Sequence, residues 1–222
     1  MSRLKHFTEG GYLRGSLPPT EQSEKSALGS SLLKNLWDCL AVHDGAASSD
    51  LIFVLAGRPE RKVYGAQLYH RGFAPRLILS VGRFEVRQTA LLGFQDLHLR
   101  ELASHTPPAK RHFFINLTPE SRSVILPDLR HKGTYGELES LGCQFKSERP
   151  GSLILVSTSI HLRRVRWCCR RIETMRRWNI RYVPVPEEMS SIRRDHWWKR
   201  LDHWSYVKSE WTKLVGYALF YG

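Results

Sequence analysis

The sequence predicts a three-layer α/β/α sandwich built on a mainly parallel sheet. Three observations predict it. Short continuous apolar runs, Leu51-Ile-Phe-Val-Leu55 and Leu153-Ile-Leu-Val156, have the character of strands buried on both faces. Segments of helical periodicity alternate with such runs through most of the chain, as strand–helix–strand units require. Glycine or hydroxyl residues then close the runs where helices begin, at Gly57, Gly82 and Ser157-Thr-Ser159.

In order along the chain, residues 1–30 are rich in Gly, Ser, Pro and charge and read as a flexible arm, leaving 31–222 as a single α/β domain. Leu32, Leu33, Leu36, Trp37, Leu40 and Ala41 recur at helical spacing, which predicts a packing helix over 31–43. A strand over 50–57 follows, closed by Gly57. Pro59 suits the first position of a helix that Gly72 ends. The next strand covers 76–81, and a helix is expected from about Glu85 to Ser104. Residues 112–117 and 123–126 are short strand candidates. A helix starts at Thr134, and Pro150-Gly151 precedes the central strand, whose closing hydroxyls are expected to cap the next helix, 161–178. On that helix Leu162, Val165, Cys168, Cys169, Ile172 and Met175 share one arc, and Arg163, Arg166, Arg170 and Arg177 share another that reads as a solvated face. Residues 180–185 form a last strand, with Pro184 pointing to an edge. An aromatic helix over 196–221 ends the pattern, its tryptophans expected in the core.

The chain of 222 residues carries a formal charge of +13 with a pI near 9.9, so its surface attracts phosphates, nucleic acid or acidic headgroups without choosing among them. Cys39, Cys143, Cys168 and Cys169 lack the paired spacing of a zinc site, so no metal is expected from them and a reduced compartment fits. No signal peptide or span of about 18 apolar residues appears, and the expectation is a cytoplasmic protein.

Ligands of open α/β sheets bind beyond the carboxyl ends of the strands. Four loops fall on that rim: Gly57 with Arg58 and Arg61; Ser80 with Gly82, Arg83 and Glu85; Thr134 with Tyr135 and Glu137; and Ser157, Thr158 and Ser159 with His161 and Arg164. Each offers a hydroxyl or glycine with a charged group close by, the combination that a phosphate-bearing ligand needs. His161 and Arg164 share one face of a first helical turn. The histidine fits an acid or base and equally a hydrogen-bonded helix start. Glu85 and Glu137 fit proton transfer or metal binding, and equally a carboxylate favoured by a helix dipole. No G-x-G-x-x-G, P-loop or nucleophile elbow is present. The interspersed tryptophans fit core packing better than nucleic-acid stacking.

These pieces resemble the bacterial domain-of-unknown-function 218 family (SanA/ElyC/YdcF-like) over about 50–217. Asp50-Leu-Ile-Phe-Val-Leu-Ala-Gly57 is similar to its opening strand and loop, and Glu60-Arg61 to Gly72-Phe-Ala-Pro75 to its Arg-x(4)-Ala-x-Leu-Tyr-x-x-Gly-x-Ala-Pro helix. Ser80-Val-Gly82 stands where Ser-Gly-Gly is usual. Gly133-Thr-Tyr-Gly-Glu137 is similar to Asn-Thr-x-x-Glu, Val156-Ser-Thr-Ser-Ile-His-Leu-Arg-Arg164 to Val-Thr-Ser-x-x-His-x-x-Arg, and Trp197-Trp198 with Glu210-Trp-Thr-Lys213 to the closing segment. Val81 and Gly133 depart from that pattern. The resemblance implies a Rossmann-like fold. It also implies a hydrolase or transferase acting on a phosphorylated or nucleotide-like small molecule, linked to cell-envelope metabolism, or a protein that binds S-adenosylmethionine. Under the first reading His161 is the hub, Glu137 a base, Arg61 and Arg164 anion contacts, and Ser80, Thr134 and Ser157 hydroxyl contacts. A third expectation is a basic protein docking on anionic membrane or nucleic acid through Arg163, Arg166 and Arg170, with nucleic acid the less favoured partner.

Overall fold

The structure is a computed structural model and describes residues 21–86, 97–147 and 151–220. Six strands form one sheet in the order β4-β3-β2-β1-β5-β6. They are β1 (Leu51–Val54), β2 (Leu77–Gly82), β3 (His112–Leu117), β4 (Arg122–Ile125), β5 (Ser152–Ser157) and β6 (Asn179–Pro184). β2, β1, β5 and β6 run parallel, while β3 and β4 attach as an antiparallel ribbon. The fold is therefore a Rossmann-like α/β sandwich with a mainly parallel sheet.

Alternation along the strands divides the core in two. Leu51, Phe53, Leu55, Ile78, Phe114, Leu153, Leu155 and Tyr182 face α4 (Gly133–Gln144), α5 (Ser159–Arg171) and the short α6 (Glu173–Arg176). Ile52, Val54, Leu77, Leu79, Ile154 and Val156 face α2 (Pro59–His70) and α3 (Leu97–His105). α2 lies close on β1 because Gly65 has no side chain there; a Cβ would stand 2.2 Å from a Val54 methyl. A third cluster, with Trp37, Leu40, Ile160, Trp197 and Val207, joins α1 (Glu21–Leu40) and α7 (Leu201–Phe220) to the outside of α5.

Several boundaries differ from those read off the sequence. α1 begins at Glu21, so residues 21–30 are helical where a flexible arm is expected; residues 1–20 lie outside the described residues. The expected helix from Glu85 is described only over Leu97–His105, and 87–96 also lie outside. The 161–178 helix starts two residues earlier and breaks at Ile172, whose extended backbone separates α5 from α6. A turn of 3-10 helix at Trp197–Lys199 precedes α7. Leu32 and Leu36, expected to pack, are exposed, since Leu33, Trp37 and Leu40 form the row that α1 buries. Trp204 likewise stands largely outside the core.

Candidate functional site

Chain order reverses between β1 and β5. From β1 the chain proceeds to β2, β3 and β4 on one side, and β5 and β6 are added on the other. At such a switch point two loops diverge above the sheet and leave a crevice. Gly57 follows β1 and Thr158 follows β5, and both stand at this crevice.

Arg61 spans it. Its Nη1 donates to the Ala56 carbonyl (2.6 Å), and its Nη2 donates to Thr158 Oγ1 (3.2 Å) and Tyr206 Oη (3.0 Å). Gly57, with φ at 128°, lies over the guanidinium; a Cβ would come within 2.8 Å of Nη1. Arg61 is 3 % exposed, yet among the described residues it makes no ion pair with a carboxylate, and its buried Nε has no acceptor. Glu137 reaches the same residue from α4, its Oε1 accepting from Ala56 N (2.8 Å). One residue after β1 is thus held by a cation through its carbonyl and by an anion through its amide.

Both flanking helices start without a side-chain cap. Arg58 and Thr158 occupy the N-cap positions of α2 and α5, but neither side chain turns back on its helix. Thr158 Oγ1 bonds Arg61 and Tyr206 (2.9 Å) instead, so the capping expected of these hydroxyls is not what they do. Arg58 Nη1 donates to Ser191 Oγ (2.6 Å), its guanidinium lies 4.8 Å from the Tyr206 ring centre, and Ser191 Oγ donates to Glu60 (2.7 Å).

On the α5 side the network is closed. Ser157 Oγ lies 2.7 Å from His161 Nδ1, and Thr134 Oγ1 lies 3.1 Å from Nε2. Thr134 also accepts from Arg164 Nη1 (2.6 Å). Arg164 then grips Glu210 with two parallel bonds, Nε to Oε2 (3.1 Å) and Nη2 to Oε1 (3.0 Å). Burial holds the His161 pKa well below the usual imidazole value, with Arg164, Arg61 and Lys213 lowering it further. The imidazole is neutral, and both nitrogens are bound to hydroxyls. Ser157 is fully buried, which removes it as a nucleophile for an outside substrate.

A neighbouring group forms around Lys62. Its ammonium pairs with Glu85, whose other oxygen accepts from Gly82 N (2.9 Å). Burial pulls the Lys62 pKa down, and Glu85 opposes that shift. Ser80 bonds His112 across the β2–β3 pair (2.7 Å). Arg83 and Ser159, expected at the site, do not join these networks, whereas the Tyr135 backbone bonds Tyr217, which also bonds Arg164. Arg83 is exposed and stacks on Phe84 at 4.3 Å. Tyr135 packs on His131 and the core beneath α4. Ser159 starts α5, and its carbonyl accepts from Val42 N (3.2 Å).

Lys62, His112 and Tyr206 are site residues that motif reading missed, and Glu210 enters it only as part of the closing segment, without a role at the site. Glu210 carries a visible signal, since it stands in phase with Val207 and Leu214, on a row that is otherwise apolar. Among the described residues no group of three or more metal-ligating side chains assembles, and no helix is long and apolar enough to cross a membrane. A cleft of about 360 Å3 lies elsewhere, beside His43, Tyr64 and Pro184, with Asp44, Glu187 and Glu188 on its lining. Its carboxylates oppose an anionic ligand. Compared with family models, curated proteins and solved structures, the chain matches none.

Proposed function

We propose that this chain binds a phosphorylated or nucleotide-like small molecule in the crevice between β1 and β5, as its resemblance to the domain-of-unknown-function 218 family implies. The observation that carries the reading is Arg61: a buried guanidinium with an unpartnered Nε and no carboxylate of its own. An uncompensated charge in such a place is costly unless an anion completes it. Two uncapped helix starts beside it offer amides and favourable dipoles to the same anion. The half-buried Arg58 supplies a second forked donor at the rim, and exposed Gly57 leaves the backbone open to close approach.

Glu137 favours a ligand with a hydroxyl beside its phosphate. One of its oxygens is held by Ala56, and the other accepts no hydrogen bond among the described residues. In this reading His161 and Arg164 hold the floor of the crevice rather than the ligand, because their polar atoms are already paired. The hydrolase or transferase activity that the resemblance implies would draw its proton acceptor from Glu137, not from the sealed Ser157–His161 pair.

Isothermal titration with inorganic pyrophosphate and a nucleoside diphosphate tests the reading. Arg61→Met should weaken binding by at least about tenfold, the equivalent of about 1.4 kcal/mol. Equal affinity in both proteins, with both folded, would remove the site.

A further inference from the structure

Large hydrophobic side chains exposed on this protein are not scattered. Eleven are exposed among the described residues, and eight of them belong to α1 and α7. On α1 they are Leu28, Leu32 and Leu36, a row at four-residue spacing one position out of phase with the Leu33, Trp37 and Leu40 row that packs. On α7, Leu201 (87 % exposed), Trp204, Val215 and Leu219 (77 %) share an arc turned by roughly 120° from that of Val207, Glu210 and Leu214, and Phe220 (85 %) ends the helix. Both helices contribute to the one apolar cluster that covers α5, and both carry these rows away from it. A soluble surface has no use for two such rows on neighbouring helices.

The charges around these rows select the partner. On α1 from Leu28 onward, on α7 and at Asp195 before it, each acidic side chain is already held by a cation: Asp38 by Arg194, Asp195 by Lys34, Asp202 by Arg200 and Glu210 by Arg164. Lys199 and Lys208 are exposed and make no ion pair among the described residues. Lys208 lies within the α7 row itself, between Trp204 and Val215. Among the described residues, the unpaired charge beside the rows is therefore positive. A second copy would bring another basic chain of formal charge +13 against it, and like charges oppose that contact. No helix described is long and apolar enough to cross a bilayer, so any contact of these rows with one is peripheral.

We propose that the outer faces of α1 and α7 form a peripheral docking surface for an anionic lipid bilayer, with leucine, valine and tryptophan side chains entering the headgroup boundary and Lys199 and Lys208 meeting lipid phosphates. An amphipathic helix lying in the interface gains from buried apolar area and from attraction to anionic lipid together. The surface is separate from the β1–β5 crevice and stands whether or not the crevice takes a phosphate.

Flotation of the full chain with phosphatidylcholine vesicles, and with mixed phosphatidylcholine–phosphatidylglycerol vesicles, tests this. The wild type should float with the mixed vesicles and lose most of that binding in high salt or on neutral vesicles. Val215→Glu combined with Leu219→Glu, at positions exposed in the folded chain, should lower vesicle affinity by about tenfold or more while leaving circular dichroism and pyrophosphate affinity unchanged. Lys208→Glu should reproduce the loss on anionic vesicles only. Absence of wild-type binding to the mixed vesicles overturns the proposal. So does a wild type that sediments as a dimer, is split by the double substitution and ignores vesicles, because the rows would then belong to a second copy.

Discussion

Two buried arginines, one on each side of the β1–β5 crevice, are treated in opposite ways. Arg164 meets Glu210 in a two-bond grip and donates a third bond to Thr134, so its charge is neutralised within the fold. Arg61 is just as buried but has only a carbonyl and two hydroxyls, with Nε left over. The difference separates architecture from reception. A closed ion pair ties α5, α4 and α7 together and has little to offer a ligand, whereas an incomplete one is a place where an anion lowers the energy of the molecule.

Breaking the closed side should have the largest effect. Glu210→Gln leaves Arg164 buried without a counter-charge and should cost about 3–5 kcal/mol of stability. Urea unfolding reads it directly, and replacing both partners with methionine should recover much of the loss. Arg61→Met should cost only about 1–2 kcal/mol, since it strands acceptors but no charge. If the two substitutions cost the same, the contrast between the arginines is not real.

The pH dependence sharpens the same contrast. His161 is held neutral because its folded pKa lies well below its unfolded value. Below the unfolded value, about 6.5, the unfolded chain binds a proton that the folded chain refuses. Its contribution is therefore complete above that pH and is lost as pH falls below it, at about 1.4 kcal/mol per pH unit. Denaturant midpoints should stay level from about pH 7.5 to 6.5 and fall with this slope toward about pH 5.5, and His161→Gln should flatten the fall.

Gly57 offers a smaller perturbation from the open side. Its positive φ, and the 2.8 Å between a would-be Cβ and Arg61 Nη1, mean that Gly57→Ala must shift the guanidinium. A cost of about 1–2 kcal/mol is expected, with pyrophosphate affinity falling as Arg61 moves. Smallest of all is Arg58→Ala at the half-exposed rim. Stability should stay within about 0.5 kcal/mol, and affinity should fall only a few-fold.

How much of this was legible in the residues varies by what encodes it. The parallel strands are continuous apolar runs, so Leu51–Val54 and Leu153–Val156 announce themselves, whereas the switch point between them appears only in the strand order of the folded sheet. His161, Thr134, Ser157 and Arg61 were found because helix and strand ends carry motifs. Which of them are satisfied was not visible, because Arg164 finds Glu210 46 residues away in sequence and Arg61 finds no carboxylate at all. Lys62 goes unmarked in the sequence because a lone ion pair leaves no periodic trace. The leucines of α1 were assigned to the core for the opposite reason: periodicity shows two apolar rows, and only packing tells which row is covered.

A crystal soaked with pyrophosphate tests the central claim most directly. The account predicts electron density within hydrogen-bonding distance of Arg61 and the Gly57 backbone, with the Arg164–Glu210 pair undisturbed. Density placed instead against Arg164 with Glu210 displaced, or in the cleft beside Tyr64 and Pro184, would contradict it.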